Sequence, residues 1–265
     1  MNRDFWGQQR VLLTGHTGFK GSWAALWLEQ LGAEVHGLSL APDHVPDLYS
    51  RLAPFAGATS TIADINDPEV VRAAVAAARP TLALHMAAQP LVRRSYAEPA
   101  LTFATNVTGT AHVLDALRGA PDLKAVLVVT TDKVYRNDGS GRRFVESDPL
   151  GGHDPYSASK AGTEMVAAAF ADSYFSKAGV ALATARGGNV VGGGDWSADR
   201  LVPDAWRALH AGVPLELRYP QATRPWQHVL DCLSGYLAYL EVLATRPGLP
   251  RALNFGPAAD DEPVT

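Results

Sequence analysis

The chain has a single cysteine, Cys232, among its 265 residues. A lone thiol excludes an internal disulfide and a cysteine-ligated zinc site, and it suits a reducing, cytoplasmic setting. No apolar run approaches the roughly 18 residues of a membrane span, so no membrane partner is expected. The N-terminal Met1-Asn2-Arg3-Asp4-Phe5-Trp6 lacks the apolar segment of a signal peptide. Basic residues are in no excess: 23 Lys and Arg stand against 27 Asp and Glu, giving a formal net charge of −4. They form no basic stripe, so composition offers nothing for a nucleic-acid partner. Internal repeats and low-complexity segments are absent too. What is present is an ordinary globular composition, 47% hydrophobic and 19% charged, which supports a sizeable core and excludes disorder as the main state.

The apolar pattern alternates between strand and helix. Arg10–Thr14 reads as a buried strand ending at Gly15. Trp23, Leu26, Trp27 and Leu31 then recur at helical spacing up to Gly32. Strands are expected at 33–38, 59–62, 82–85, 125–130 and 180–185. Helices are expected after Asp67-Pro68, around 100–117 and from Pro155 through Tyr174. Short connections between alternating elements predict an α/β fold, a doubly wound parallel sheet of Rossmann type. After Arg186 the glycines at 187, 188 and 192–194 break the rhythm. A helix near 203–211, a short strand at Leu215–Leu217, a long helix over 228–243 and a strand at 252–255 are expected there. The chain thus divides into a dinucleotide-binding domain, 1–186, and a smaller C-terminal substrate lobe, 187–265, with 228–255 packing back on the first domain. Asp260–Thr265 reads like a helix start, so the lobe is expected to be cut short.

Gly15-His16-Thr17-Gly18-Phe19-Lys20-Gly21 spaces its glycines three apart between the first strand and the first helix. The first permits a tight turn, the second close approach of a diphosphate, and the third close helix–strand packing, while the helix N-terminus offers free amides. Glycine spacing alone is weak; in this strand–loop–helix context it is specific. No carboxylate occupies 37–42 after the second strand, and no arginine sits there for a 2′-phosphate. NAD is mildly favoured over NADP, with Ser39 as a ribose contact. Asp64-Ile65 either contacts the adenine or forms a helix-preceding turn.

Tyr156 and Lys160 lie at i and i+4, on one face of a predicted helix. A nearby ammonium favours phenolate, which makes Tyr156 a general base for a hydroxyl losing hydride. With the glycine loop upstream, the chain resembles the extended short-chain dehydrogenase/reductase family along essentially its whole length. His85-Met86-Ala87-Ala88-Gln89 and Asn106 match cofactor-lining positions of that family, and the resemblance implies that Ala87, Ala88, Gln89, Asn106, Thr130, Tyr156 and Lys160 line the cofactor.

Thr130-Thr131-Asp132-Lys133-Val134-Tyr135 ends the fifth strand, at the edge where ligands bind. An Asp with a second proton-transfer group resembles the family's sugar-nucleotide 4,6-dehydratases. Lys in the second place resembles their CDP-glucose branch, as do 14–23, 188–196 and 224–229. The resemblance implies a hydro-lyase with Thr131, Asp132, Lys133, Tyr156 and Lys160 catalytic. It further implies Gln89, Asn189, Arg200 and Arg224 on a CDP-glucose-like substrate, and homo-oligomerisation through 100–117 and 155–174. No metal site is expected. Another epimerase or dehydratase of the family, or a non-catalytic nucleotide binder, are the alternatives.

Overall fold

The computed structural model describes residues 1–43, 45–52, 59–217 and 219–258. A short helix α1 (Arg3–Trp6) precedes β1 (Arg10–Thr14), α2 (Phe19–Gln30), β2 (Glu34–Ser39), α3 (Leu48–Arg51) and β3 (Thr59–Ile62). Then follow α4 (Pro68–Ala78), β4 (Leu82–His85), α5 (Val92–Ala97), α6 (Pro99–Phe103), a π-helical turn at Ala104–Gly109 and α7 (Thr110–Leu117). The second half holds β5 (Ala125–Thr131), α8 (Pro155–Phe170), β6 (Ala181–Gly187), β7 (Asn189–Val191), α9 (Leu201–Ala211), β8 (Trp226–His228), α10 (Val229–Thr245) and β9 (Ala252–Phe255).

Seven strands form one parallel sheet in the order β3-β2-β1-β4-β5-β6-β9. Side chains alternate along each strand, so the sheet feeds two cores. Val11, Leu13, Leu84, Leu127 and Ala185 meet α2 and α10 on one face. Leu12, Ala83, Val126, Val128 and Leu182 meet α4, α7 and α8 on the other. This is the doubly wound architecture the sequence implies. The order reverses between β1 and β4, and the carboxyl ends there open a crevice.

Local signals explain the element starts. Asp67 caps α4 by accepting from the Glu69 and Val70 amides, and Pro68 takes the first helical position. Asp154 caps α8 in the same way through Ser157, followed by Pro155. Gly32, at φ +89°, ends α2.

Two expectations are corrected. Leu215–Leu217 is irregular, not a strand. Pro214 precedes it, Leu215 and Leu217 are exposed, and among the described residues no strand pairs with it. The second sheet is instead the parallel pair β7–β8. The expected helix around 100–117 is interrupted, since α6 starts at Pro99 and passes through the π-turn before α7. The expected helix start at 260–265 lies outside the described residues.

Candidate active site at the carboxyl edge of the sheet

Gly15 turns the chain at φ +79°, and its amide donates to the Leu38 carbonyl at 2.8 Å. A Cβ on Gly15 would stand 2.7 Å from the Ala87 nitrogen, and one on Gly21 only 1.9 Å from the Gly15 carbonyl oxygen. The loop and the first turn of α2 are therefore pressed together, leaving the amides of a 12-residue helix facing the crevice. This cradle fits the diphosphate of a dinucleotide. Beside it, Thr17 Oγ1 donates to the Leu40 carbonyl at 2.8 Å and so receives the Ser39 hydroxyl at 2.8 Å. The His16 ring, missed by sequence reasoning, fills the space above Gly37 and bonds Ser60 Oγ at 2.6 Å. Burial pushes it down to about 4. Asp64 closes a turn onto the Asn66 amide, and buried Ile65 rests against Gly109 in the π-turn.

Three expected cofactor-lining side chains face inward. Gln89 donates to the Leu91 carbonyl and Thr102 Oγ1 and accepts from the Leu91 amide. Asn106 Oδ1 accepts from the Gln89 amide, and its Nδ2 donates to the Gln89 carbonyl and Ser159 Oγ. Thr130 donates to the buried carboxylate of Glu164. Buried amides and hydroxyls satisfy one another. These residues clamp the loop after β4 to α8 and position the crevice wall from behind.

At the end of β5, Thr131 Oγ1 donates to Asp132 Oδ1 at 3.0 Å, and Lys133 Nζ reaches the same oxygen at 3.0 Å. Lys133 Nζ also lies 3.5 Å from Asn189 Oδ1 of β7. Both charged side chains are about one-third exposed, at 32% for Asp132 and 37% for Lys133. Tyr156 lies on the first turn of α8, its phenol near Thr131 and its amide donating to Ser95 Oγ at 3.1 Å. Burial pushes its phenol up to about 12, opposed by the Thr131 hydrogen bond and the Arg200 charge. Lys160, one helical turn on, donates its Nζ to the Val129 carbonyl at 2.9 Å. Burial first, and repulsion from Lys20 second, bring Lys160 down to about 8. The Lys20 ammonium lies 5.6 Å from the centre of the Tyr236 ring, and burial lowers its pKa. Tyr236 was unforeseen. Its hydroxyl occupies the space where a Cβ on Gly187 would sit, 2.2 Å away, so only glycine fits at 187.

The structure thus gathers Lys20, Thr131, Asp132, Lys133, Tyr156, Lys160, Asn189 and Arg200 around one crevice. Arg224 stands apart: it is exposed, and among the described residues its guanidinium donates to the adjacent Thr223 carbonyl. The described residues include no His, Cys, Asp and Glu cluster that could hold a metal, and no helix long and apolar enough to cross a membrane.

A parallel sheet with a glycine cradle at its switch point and a buried Tyr–Lys pair beside it defines a dinucleotide-dependent enzyme of the short-chain dehydrogenase/reductase type. The chain belongs to the NAD dependent epimerase/dehydratase family, whose profile matches residues 11–256. It is 45% identical to a CDP-glucose 4,6-dehydratase of Salmonella typhimurium over 98% of this chain and 74% of that protein. It is 31% identical to a dTDP-glucose 4,6-dehydratase of Xanthomonas campestris over 83% of this chain and 64% of that one. Among solved structures, a Thermus thermophilus UDP-glucose 4-epimerase in complex with NAD superposes with TM-score 0.78 at 28% identity, covering 93% of this chain and 77% of the other. A Streptomyces venezuelae dTDP-glucose 4,6-dehydratase double mutant with NAD bound gives 0.76 at 28% identity, covering 87% and 71%.

Proposed function

We propose that this protein is a sugar-nucleotide 4,6-dehydratase that converts CDP-glucose to CDP-4-keto-6-deoxyglucose and water. The observation that carries the reading is the Asp132–Lys133 pair, in contact at 3.0 Å within the crevice that holds Tyr156. The 45% identity to a CDP-glucose 4,6-dehydratase supports the choice of nucleotide. NAD, when bound, supplies the hydride acceptor for C4 and the hydride donor for C6. Gly15, Gly18 and Gly21 with the Phe19 and Lys20 amides would hold its diphosphate. Thr17, Ser39, Asp64 and Ile65 would face its adenosine, and Ala87, Ala88 and Lys160 its nicotinamide half.

Tyr156 takes the proton of the C4 hydroxyl. A phenol held at about 12 needs positive charge close by when it acts, which Arg200 supplies directly and Lys160 from one helical turn on. The C4 ketone so formed acidifies C5–H. Lys133 passes a proton to Asp132 across their contact and, as the free amine, removes the C5 proton. Asp132, now an acid, protonates the C6 hydroxyl as it leaves as water. The elimination itself leaves the pair as it began, an ammonium beside a carboxylate. As C6 is reduced, Lys133 returns a proton to C5, and the proton held by Tyr156 restores the Lys133 ammonium, so the full cycle consumes no outside acid or base. Asn189, Arg200 and Arg224 are the substrate-side polar groups in this reading, while Gln89 acts through its backbone.

The reading includes a cytoplasmic setting and self-association through the helices at 100–117 and 155–174, whose outer surface exposes Leu101, Phe103 and Met165. The test of function is incubation with CDP-glucose and NAD. The expected product is a 4-keto-6-deoxy sugar nucleotide without net NADH. A C4 epimer that retains its C6 hydroxyl contradicts the dehydratase and supports an epimerase.

A further inference from the structure

Behind the crevice runs a line of buried hydrogen bonds. Thr14, His85, Thr110, Asn106, Ser159 and Thr163 are each no more than 2% exposed. Thr14 Oγ1 lies 2.7 Å from His85 Nδ1, and His85 Nε2 lies 3.0 Å from Thr110 Oγ1. The partners at each end determine which ring nitrogen carries the proton. Thr110 spends its own proton on the Asn106 carbonyl at 2.7 Å, so it can only accept from Nε2. Thr14 Oγ1 accepts from the Met86 and Ala87 amides, both at 3.1 Å. Its lone pairs are taken, so its proton goes to Nδ1. Both ends require the same tautomer, and Thr14 leaves no acceptor for a second proton on Nδ1.

We propose that His85 is a positioning residue: held as the Nε2–H tautomer, it is the central link of an unbroken hydrogen-bond chain joining the cofactor loop to the helix that carries Tyr156. The proposal rests on the reading of the glycine loop and Tyr156 given above. On one side, Thr14 leads directly into Gly15, and the Ala87 nitrogen is the atom a Cβ on Gly15 would strike. On the other, the Asn106 carbonyl also accepts from Thr163 Oγ1 of α8 at 2.7 Å. Asn106 Nδ2 donates to Ser159 Oγ, which donates to the Tyr156 carbonyl at 2.7 Å. The π-turn at Ala104–Gly109 brings Asn106 to this junction. Burial, with the Lys160 charge adding repulsion, pushes His85 down to about 3, in keeping with a ring that never charges at working pH. Removing the Thr110 hydroxyl strands Nε2–H and favours the other tautomer. Thr14 Oγ1 then faces three donors with two lone pairs, so the ring competes with the Met86 and Ala87 amides for it.

The test is long-range proton–nitrogen NMR on 13C,15N-labelled wild-type protein, with the His85 ring signals assigned through bonds to its own backbone. The expected result is a pyrrole-like Nε2 and a pyridine-like Nδ1, unchanged between about pH 5 and 8, where an ordinary histidine titrates. An Nδ1–H tautomer, or titration in that range, overturns the proposal even if no variant folds. Calorimetry with NAD supplies the second readout. Thr110→Val is expected to weaken binding about five- to tenfold, one buried hydrogen bond's worth, and to mix the tautomers, while Thr110→Ser restores both. Equal NAD affinity in Thr110→Val and wild type overturns the coupling. Tyr156→Phe separates the two readings: full turnover in that variant sinks the catalytic role of Tyr156, while the tautomer and NAD binding still decide the role of His85.

Discussion

Tyr156 and its surroundings set the chemistry at the scale of single residues. A positioned general base contributes about a hundredfold or more. Tyr156→Phe is therefore expected to lower kcat by at least about a hundredfold, with the Kd for the sugar nucleotide changed little, as read by steady-state kinetics and calorimetry. The two buried histidines carry a pH signature. Both are held below the usual histidine value, His16 at about 4 and His85 at about 3. The unfolded chain binds protons at higher pH than the folded one. The stability that comes from keeping them neutral is therefore complete above about pH 6.5 and is lost as pH falls toward 4 and then 3. Urea midpoints measured down that range should decline, and His85→Gln should make the decline shallower; an unchanged slope in the variant contradicts it. At this scale the sequence is legible for Tyr156, Lys160, Asp132 and Lys133, because fixed spacing puts them on one helix face or one strand end. It is illegible for Gln89, Asn106 and Thr130. Their family positions suggest cofactor contacts, but which way a buried amide or hydroxyl turns depends on partners distant in sequence, such as Ser159 and Glu164.

Elements are where glycine and proline decide. The start of α2 can be read from the sequence because only glycine tolerates the packing of Gly21 on Gly15. Gly21→Ala places a Cβ 1.9 Å from a backbone oxygen, so it should weaken NAD binding by more than about tenfold and lower the melting temperature. Gly193→Ala, where a Cβ meets nothing within 4 Å, should leave stability within about 0.5 kcal/mol of wild type. Thermal melts with NAD titrations check both. The missed elements share a cause. β7 and β8 are three residues each and exist only because they pair with each other across some 35 residues, which no local pattern reveals. Leu215–Leu217 has the local pattern of a strand and pairs with none among the described residues. The π-turn before α7 combines poor helix formers at Thr105, Asn106, Val107, Thr108 and Gly109 with tertiary anchoring of Asn106, and the anchoring has no local signature.

Across the whole molecule, one buried ion pair ties the catalytic helix to the far side of the sheet. Arg186 of β6 donates to Glu164 of α8 at 2.8 Å, with the two side chains 5% and 4% exposed. Glu164 also receives Thr130 and Thr184, while Arg186 reaches the Tyr135 hydroxyl, which donates to Asn254 of β9. Glu164→Gln leaves a buried guanidinium without its counter-charge, a loss of about 3–5 kcal/mol. Calorimetric melting should fall by on the order of 10 °C, and a shift below about 2 °C would show that the network carries little. The doubly wound sheet was readable at this scale from alternation alone; the polar network beneath it was not, because Glu164 and Arg186 read as ordinary helix and strand residues. The central claim, an elimination driven by internal hydride transfer, is tested most directly with CDP-glucose deuterated at C4. Product NMR should find the deuterium in the C6 methyl group, beside a C4 ketone. Deuterium retained at C4, or lost to solvent, would contradict it.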